Sequence, residues 1–171
     1  MYRTAIFILA PEKVQAIAGP LRTKYWPDSQ FRIPAHISVL SPFVPYKDLS
    51  KSINKLESVC KSITPYEISL NGYGEFPGYT FMKLKRLQDT QLIYNRILSI
   101  FPECIPYEGK HGTKLHPHLS VAKFLNEEEQ QATLLPPYKP LKFTVDKLFV
   151  MFTDAEMTLP WKLYRIVNFG E

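Results

Sequence analysis

Two short stretches of this chain pair an imidazole with a hydroxyl at the same spacing. One reads Pro34-Ala35-His36-Ile37-Ser38-Val39-Leu40, the other His116-Pro117-His118-Leu119-Ser120-Val121-Ala122. In a β-strand, residues i and i+2 share a face. Each stretch therefore sets His beside Ser, while Ile37 and Val39, or Leu119 and Val121, turn the other way. A lone histidine of this kind is usually a hydrogen-bonded core or rim residue. Two in matched apolar contexts point to an acid–base centre with two halves.

Such a pair suits a phosphodiester or a 2′,3′-cyclic phosphate. A neutral imidazole can take a proton from the attacking water or hydroxyl, and an imidazolium can protonate the departing ribose oxygen. Histidine serves both roles because its ordinary pKa is about 6.5. Ser38 and Ser120 can donate hydrogen bonds to the non-bridging oxygens as charge builds there. This chemistry needs no metal and no cofactor. His116 and His118 also form a His-x-His pair, but no acidic or Cys partner lies near them in sequence and zinc sites use at least three protein ligands.

The elements that must hold these residues alternate along the chain. Apolar patterning predicts strands at Tyr2–Leu9, 35–40, 66–73, 80–84, 117–123, 139–145, 148–153 and 161–168. Helices are expected at 11–25, 49–63 and 90–101, with a short one capped by Asn126 and running to Leu134. Residues 26–32 and 102–115 read as loops, and His111 in the second reads as a solvated basic loop residue or part of a flap. Several strands are joined by short turns, such as Asp146 between Val145 and Leu148, which implies antiparallel pairing. The expected class is α+β with antiparallel sheets, not a doubly wound parallel sheet.

The chain has 171 residues, 45% of them hydrophobic and 22% charged, enough for one domain with a real core or two small lobes sharing one. No apolar run is long enough to span a bilayer. The apolar start reads as a buried first strand and not as a signal peptide, so the expected compartment is cytoplasmic. Cys60 and Cys104 are then expected to be reduced and buried. The net charge of +5 suits an anionic substrate.

With these residues in view, the sequence resembles the 2H phosphoesterase superfamily, which includes the 2′-5′ RNA ligase and cyclic phosphodiesterase proteins. The likeness rests on Ala35-His36-Ile37-Ser38-Val39 and Pro117-His118-Leu119-Ser120-Val121, on Pro42-Phe43 after the first motif, on Lys123 after the second, and on Trp161 before the last strand. It implies a bilobal fold in which two antiparallel sheets face a central cleft, with helices outside and pseudo-twofold symmetry. It also implies catalytic roles for His36, Ser38, His118 and Ser120. The expected partner is an RNA end or small nucleotide phosphodiester, taken by a monomer without a membrane partner. The chain departs from the family pattern in three ways: Ser stands for Thr in both motifs, Ala35 for a proline, and Lys123 for an arginine.

Three further residues are candidates for binding substrate. Phe43 follows the first motif and could stack on a base. Arg3 on the first strand could help neutralise phosphate. Lys123 could do the same, although strict alternation turns it away from His118 and Ser120 unless the strand bends there. Two other readings predict different behaviour. A nucleotide- or RNA-binding module would bind without turnover, and a protein-interaction domain would not bring the two motifs together.

Overall fold

The computed structural model describes residues 2–170 apart from Lys110, His111 and Thr113, so the reading of His111 lies outside the described residues. In chain order the elements are β1 (Tyr2–Leu9), α1 (Glu12–Tyr25), α2 (Pro27–Arg32), β2 (His36–Leu40), α3 (Leu49–Cys60), β3 (Tyr66–Phe76), β4 (Tyr79–Leu84), α4 (Gln88–Ile100), β5 (His118–Lys123), α5 (Glu127–Ala132), β6 (Leu141–Val145), β7 (Lys147–Asp154) and β8 (Lys162–Asn168). The strands form two four-stranded sheets, β2-β1-β7-β8 and β5-β4-β3-β6, in which neighbours pair antiparallel. The class is α+β.

Strand β1 has a continuous apolar run because both its faces are covered. Ile6 and Ile8 join the main core, whereas Ala5 and Phe7 join a smaller cluster with Ile33 and Met151 on the opposite face. The motif strands instead alternate. Ile37, Val39, Leu119 and Val121 are fully buried in the main core, and their burial stabilises each strand by roughly 1.5–3 kcal/mol per side chain. That anchoring turns the intervening His and Ser side chains to the other face.

The motif strands are both sheet edges, and they interrupt their ladders at the same place. Ile6 pairs with Leu40 but Phe7 with Ser38, which leaves Val39 as an extra residue. Thr80 pairs with Ala122 but Phe81 with Ser120, which leaves Val121 extra. A bulge of this kind reverses the alternation beyond it. The covering helices are exchanged between the halves: α1, from the first half, packs on β5, and α4, from the second, packs near β2.

Two expectations need correcting. Residues 26–32 are not wholly a loop, because Pro27 opens helix α2 with its fixed φ and Asp28 sits in its first turn. Asp146 does not make a hairpin either. One residue is too short a turn for β6 and β7 to pair, and the chain instead steps from one sheet to the other, β6 beside β3 and β7 beside β1 and β8. The Asn126 cap is present, its side chain accepting the Glu129 N–H at 2.8 Å. Cys60 and Cys104 are free and buried, and burial pushes their thiols up to about 12 and about 11. No helix among the described residues is long and apolar enough to cross a membrane.

Candidate active site

The exposed edges of the two sheets approach one another where β2 meets β5, and this brings the two His-x-Ser pairs together. Both imidazoles are held in the same way. His36 Nδ1 donates to the carbonyl of Pro34 at 2.8 Å, and His118 Nδ1 donates to the carbonyl of His116 at 2.6 Å. A carbonyl can only accept, so Nδ1 carries the proton in each neutral ring and Nε2 is left with its lone pair. The geometry therefore supplies two proton-accepting nitrogens whose orientation is fixed by the backbone two residues upstream. His116 is exposed, and its part in the site is this carbonyl.

Each imidazole rests against aromatic rings of its own sheet, Phe7 of β1 for His36 and Phe76 of β3 and Phe81 of β4 for His118. Phe7 meets His36 with centroids 4.7 Å apart and is itself backed by Trp161 at 5.0 Å. Phe76 and Phe81 each lie 5.2 Å from His118. Phe7 is the ladder partner of Ser38, and Phe81 that of Ser120, so the two halves repeat one packing unit. Gly74 faces Phe81 across the β3–β4 ladder, and a Cβ there would meet the Phe81 ring at 2.6 Å.

The apolar rings favour neutral imidazoles. Burial lowers His36 to about 4, opposed by the Pro34 carbonyl and aided by the positive charges of Arg22 and His118. Burial also lowers His118, opposed by the His116 carbonyl and aided by the His116 charge. That His36 responds to His118 agrees with the two strands lying side by side.

Other predicted residues are placed differently. Lys123 pairs with Tyr79, and its Nζ lies 5.8 Å over the Tyr79 ring. Tyr79 shares a face of β4 with Phe81, the ring against His118. The bulge at Val121 thus brings Lys123 onto the face of the second motif, against strict alternation. Arg3 shares a face of β1 with Phe7 and pairs with Glu108 at 3.2 Å. Phe43 requires a correction: it is 5% exposed, packed edge-on against Phe101 at 5.0 Å within the main core, and has no free face for a base.

Two residues escaped sequence reasoning. Tyr107 lies in the 102–115 connection, where its N–H donates to the Ser41 carbonyl at 2.7 Å and its hydroxyl bonds that of Ser38. It and Glu108 both hold left-handed backbone, with φ of 50° and 57°, a conformation non-glycine residues adopt at a cost and one that gathers at functional sites. A lone tyrosine in a long loop gives no pattern that would reveal this. Arg22, on α1, is fully buried beneath the motif strands. The signal for it was its position four residues after Ala18 and eight after Val14, on the buried stripe of the helix.

Comparison with known proteins bears on this arrangement. The family model of the 2′-5′ RNA ligase superfamily matches residues 10–156. Among solved structures, E. coli LigT complexed with 3′-AMP is similar with a TM-score of 0.74 at 13% identity, covering 99% of this chain and 98% of that one. LigT complexed with NADP+ gives 0.71 at 13% identity with the same coverage. The TT0787 protein of Thermus thermophilus gives 0.61 at 16% identity, covering 99% of each chain. At such identities these likenesses concern the fold. A search of curated protein sequences finds no match.

Proposed function

We propose, from the premise that this chain belongs to the 2′-5′ RNA ligase superfamily, that it is a phosphoesterase acting on RNA ends, nucleoside 2′,3′-cyclic phosphates or 2′-5′ phosphodiesters. Catalysis is by two histidines and needs no metal. The observation that carries this reading is the equivalent seating of His36 and His118, each with Nδ1 bonded to the carbonyl two residues upstream and Nε2 left for proton transfer.

In the hydrolytic direction, a water oxygen forms a bond to phosphorus while the bond from phosphorus to a ribose oxygen breaks. One Nε2 takes the proton from water, and the other, as imidazolium, gives a proton to the departing oxygen. In the reverse direction the two exchange roles. Ser38 and Ser120 donate to the non-bridging oxygens, and Lys123 and Arg3 lie on the same faces as sources of positive charge. Because both imidazoles favour the neutral form, the anionic substrate itself supports protonation of one of them. The nucleotide complexes of LigT are consistent with this class of ligand.

The test is turnover of nucleoside 2′,3′-cyclic monophosphates in EDTA by wild type, His36→Ala and His118→Ala. Turnover that both substitutions abolish is the expected result. Turnover that survives either one overturns the mechanism. Nucleotide binding without product favours the binding-module reading.

A further inference from the structure

Arg22 is among the largest fully buried side chains of the described residues, yet no carboxylate among those residues pairs with it. Its guanidinium is held by neutral groups alone, four hydrogen-bond acceptors and the Trp26 ring, whose centroid lies 5.7 Å from Cζ. Nε donates to Gln30 Oε1 at 2.9 Å, and one terminal nitrogen donates to Ser29 Oγ and to the Ile33 carbonyl, both at 2.8 Å. The other donates to the Ser120 carbonyl at 2.9 Å. Ile33 lies three residues before His36, and Ser120 is the hydroxyl residue of the second motif. One planar fork thus joins the approach to the first motif to the middle of the second, which lies 98 positions from Arg22 in sequence.

A buried, unpaired cation is costly and is kept where something else compensates. Here four hydrogen bonds and the Trp26 ring offset part of that cost, and an anion at the junction of the two strands would supply the opposite charge. The charge is also one-sided. The charged or titratable groups that act on His36 are Arg22 from α1 and His118 from β5, while His118 responds to His116. Of the nearby groups on other elements, Arg3 is engaged by Glu108 and Tyr107 is bonded to Ser38.

We propose that Arg22 is a positioning residue for the two-histidine centre, fixing the spacing of the two motif strands and holding a positive charge behind His36 that is matched when a phosphate group binds. This rests on the reading of the site as a phosphoesterase centre. Arg22 does not touch the substrate; it acts through the Ser120 backbone and through its field. In α1 the same residue would otherwise read as a cation complementing the last helical turn, as Lys24 does.

The test compares Arg22→Gln, which removes the charge, with Arg22→Lys, which keeps the charge and loses the planar fork. Imidazole NMR titrations of His36 and His118, with and without inorganic phosphate, supply the readout. In Arg22→Gln the His36 midpoint is expected to move up, with little change at His118, and phosphate affinity to fall about tenfold. In Arg22→Lys the His36 midpoint stays low while phosphate affinity falls by about threefold, because the strands lose their common anchor. An unchanged His36 midpoint in folded Arg22→Gln overturns the proposal. If that variant does not fold, Arg22→Lys decides: wild-type phosphate affinity overturns the proposal, and reduced affinity with a low His36 midpoint supports it. These titrations need no turnover, so failure of wild type on cyclic nucleotides would count against the functional reading while leaving this result readable.

Discussion

The halves around His36 and His118 share one construction and differ in what surrounds it. In each, an edge strand carries His-x-Ser, a bulge follows the serine, a phenylalanine stands opposite it, and the histidine Nδ1 is bonded two residues back. The first half adds the Arg22 charge, the Tyr107 hydroxyl on Ser38 and Trp161 behind Phe7. The second adds a further phenylalanine, Phe76, the exposed His116 and Lys123 at the strand end. Backbone geometry therefore makes the imidazoles equivalent in orientation, while their neighbours make them unequal in charge. A symmetric fold can hold an acid and a base because side chains outside the repeated unit differ.

The strongest test of equivalence is loss of either imidazole. His36→Ala and His118→Ala should each reduce kcat for cyclic nucleotides by roughly 10²–10⁴-fold, and the double variant should be little worse than either. A single variant within about tenfold of wild type would break the comparison. Ser38→Ala and Ser120→Ala should each cost about 10²-fold in kcat if both hydroxyls meet developing charge. A loss confined to one serine would assign the oxyanion to one half.

The pH dependence sharpens the inequality. His36 titrates near 4 in the folded chain against about 6.5 when unfolded, so between these values the unfolded state binds the extra proton. Its contribution to stability is complete above about 6.5, is lost as pH falls towards 4, and then levels off. Thermal unfolding of His36→Gln should show a shallower acid slope than wild type over that window. An identical slope would mean that another group titrates there. The kcat/KM profile should be bell-shaped with its maximum on the acid side of 6.5, the two limbs belonging to the pair.

Smaller effects separate the halves. Tyr107→Phe removes one hydrogen bond to Ser38 and should lower kcat by about three- to tenfold, with the His118 titration unmoved. Gly74→Ala drives a methyl into the Phe81 ring and should shift the His118 resonances while leaving those of His36 in place, at a stability cost of about 1–3 kcal/mol. Equal shifts at both histidines would show that the rings are mechanically joined.

The residues of the candidate site were legible where a local rule places their side chains. Period-2 alternation placed His36 with Ser38 and His118 with Ser120, because Ile37, Val39, Leu119 and Val121 all seek the core. The Asn126 cap and the start of α1 follow equally local rules. Nothing in Val39 or Val121 announces a bulge, so alternation alone misplaced Lys123. The sheet switch at Asp146 depends on which strand completes each sheet, which is a tertiary choice. Phe43 was ambiguous because a phenylalanine after a motif serves core and cleft alike, and Phe101 settles it here. Arg22 and Tyr107 act through carbonyls and hydroxyls distant in sequence, which no spacing encodes.

The strand orders also set a timetable for folding. Sheet β5-β4-β3-β6 is drawn wholly from residues 66–145, whereas the other joins β1 to β7, with Tyr2 beside Asp154. Closing a loop that long costs entropy before any contact repays it. On a growing chain, the sheet bearing His118 has all its strands first, and β1 and β2 wait for β7 to emerge. The His36 sheet is completed only afterwards, as β7 pairs with β1 and β8 adds at the edge beside β7.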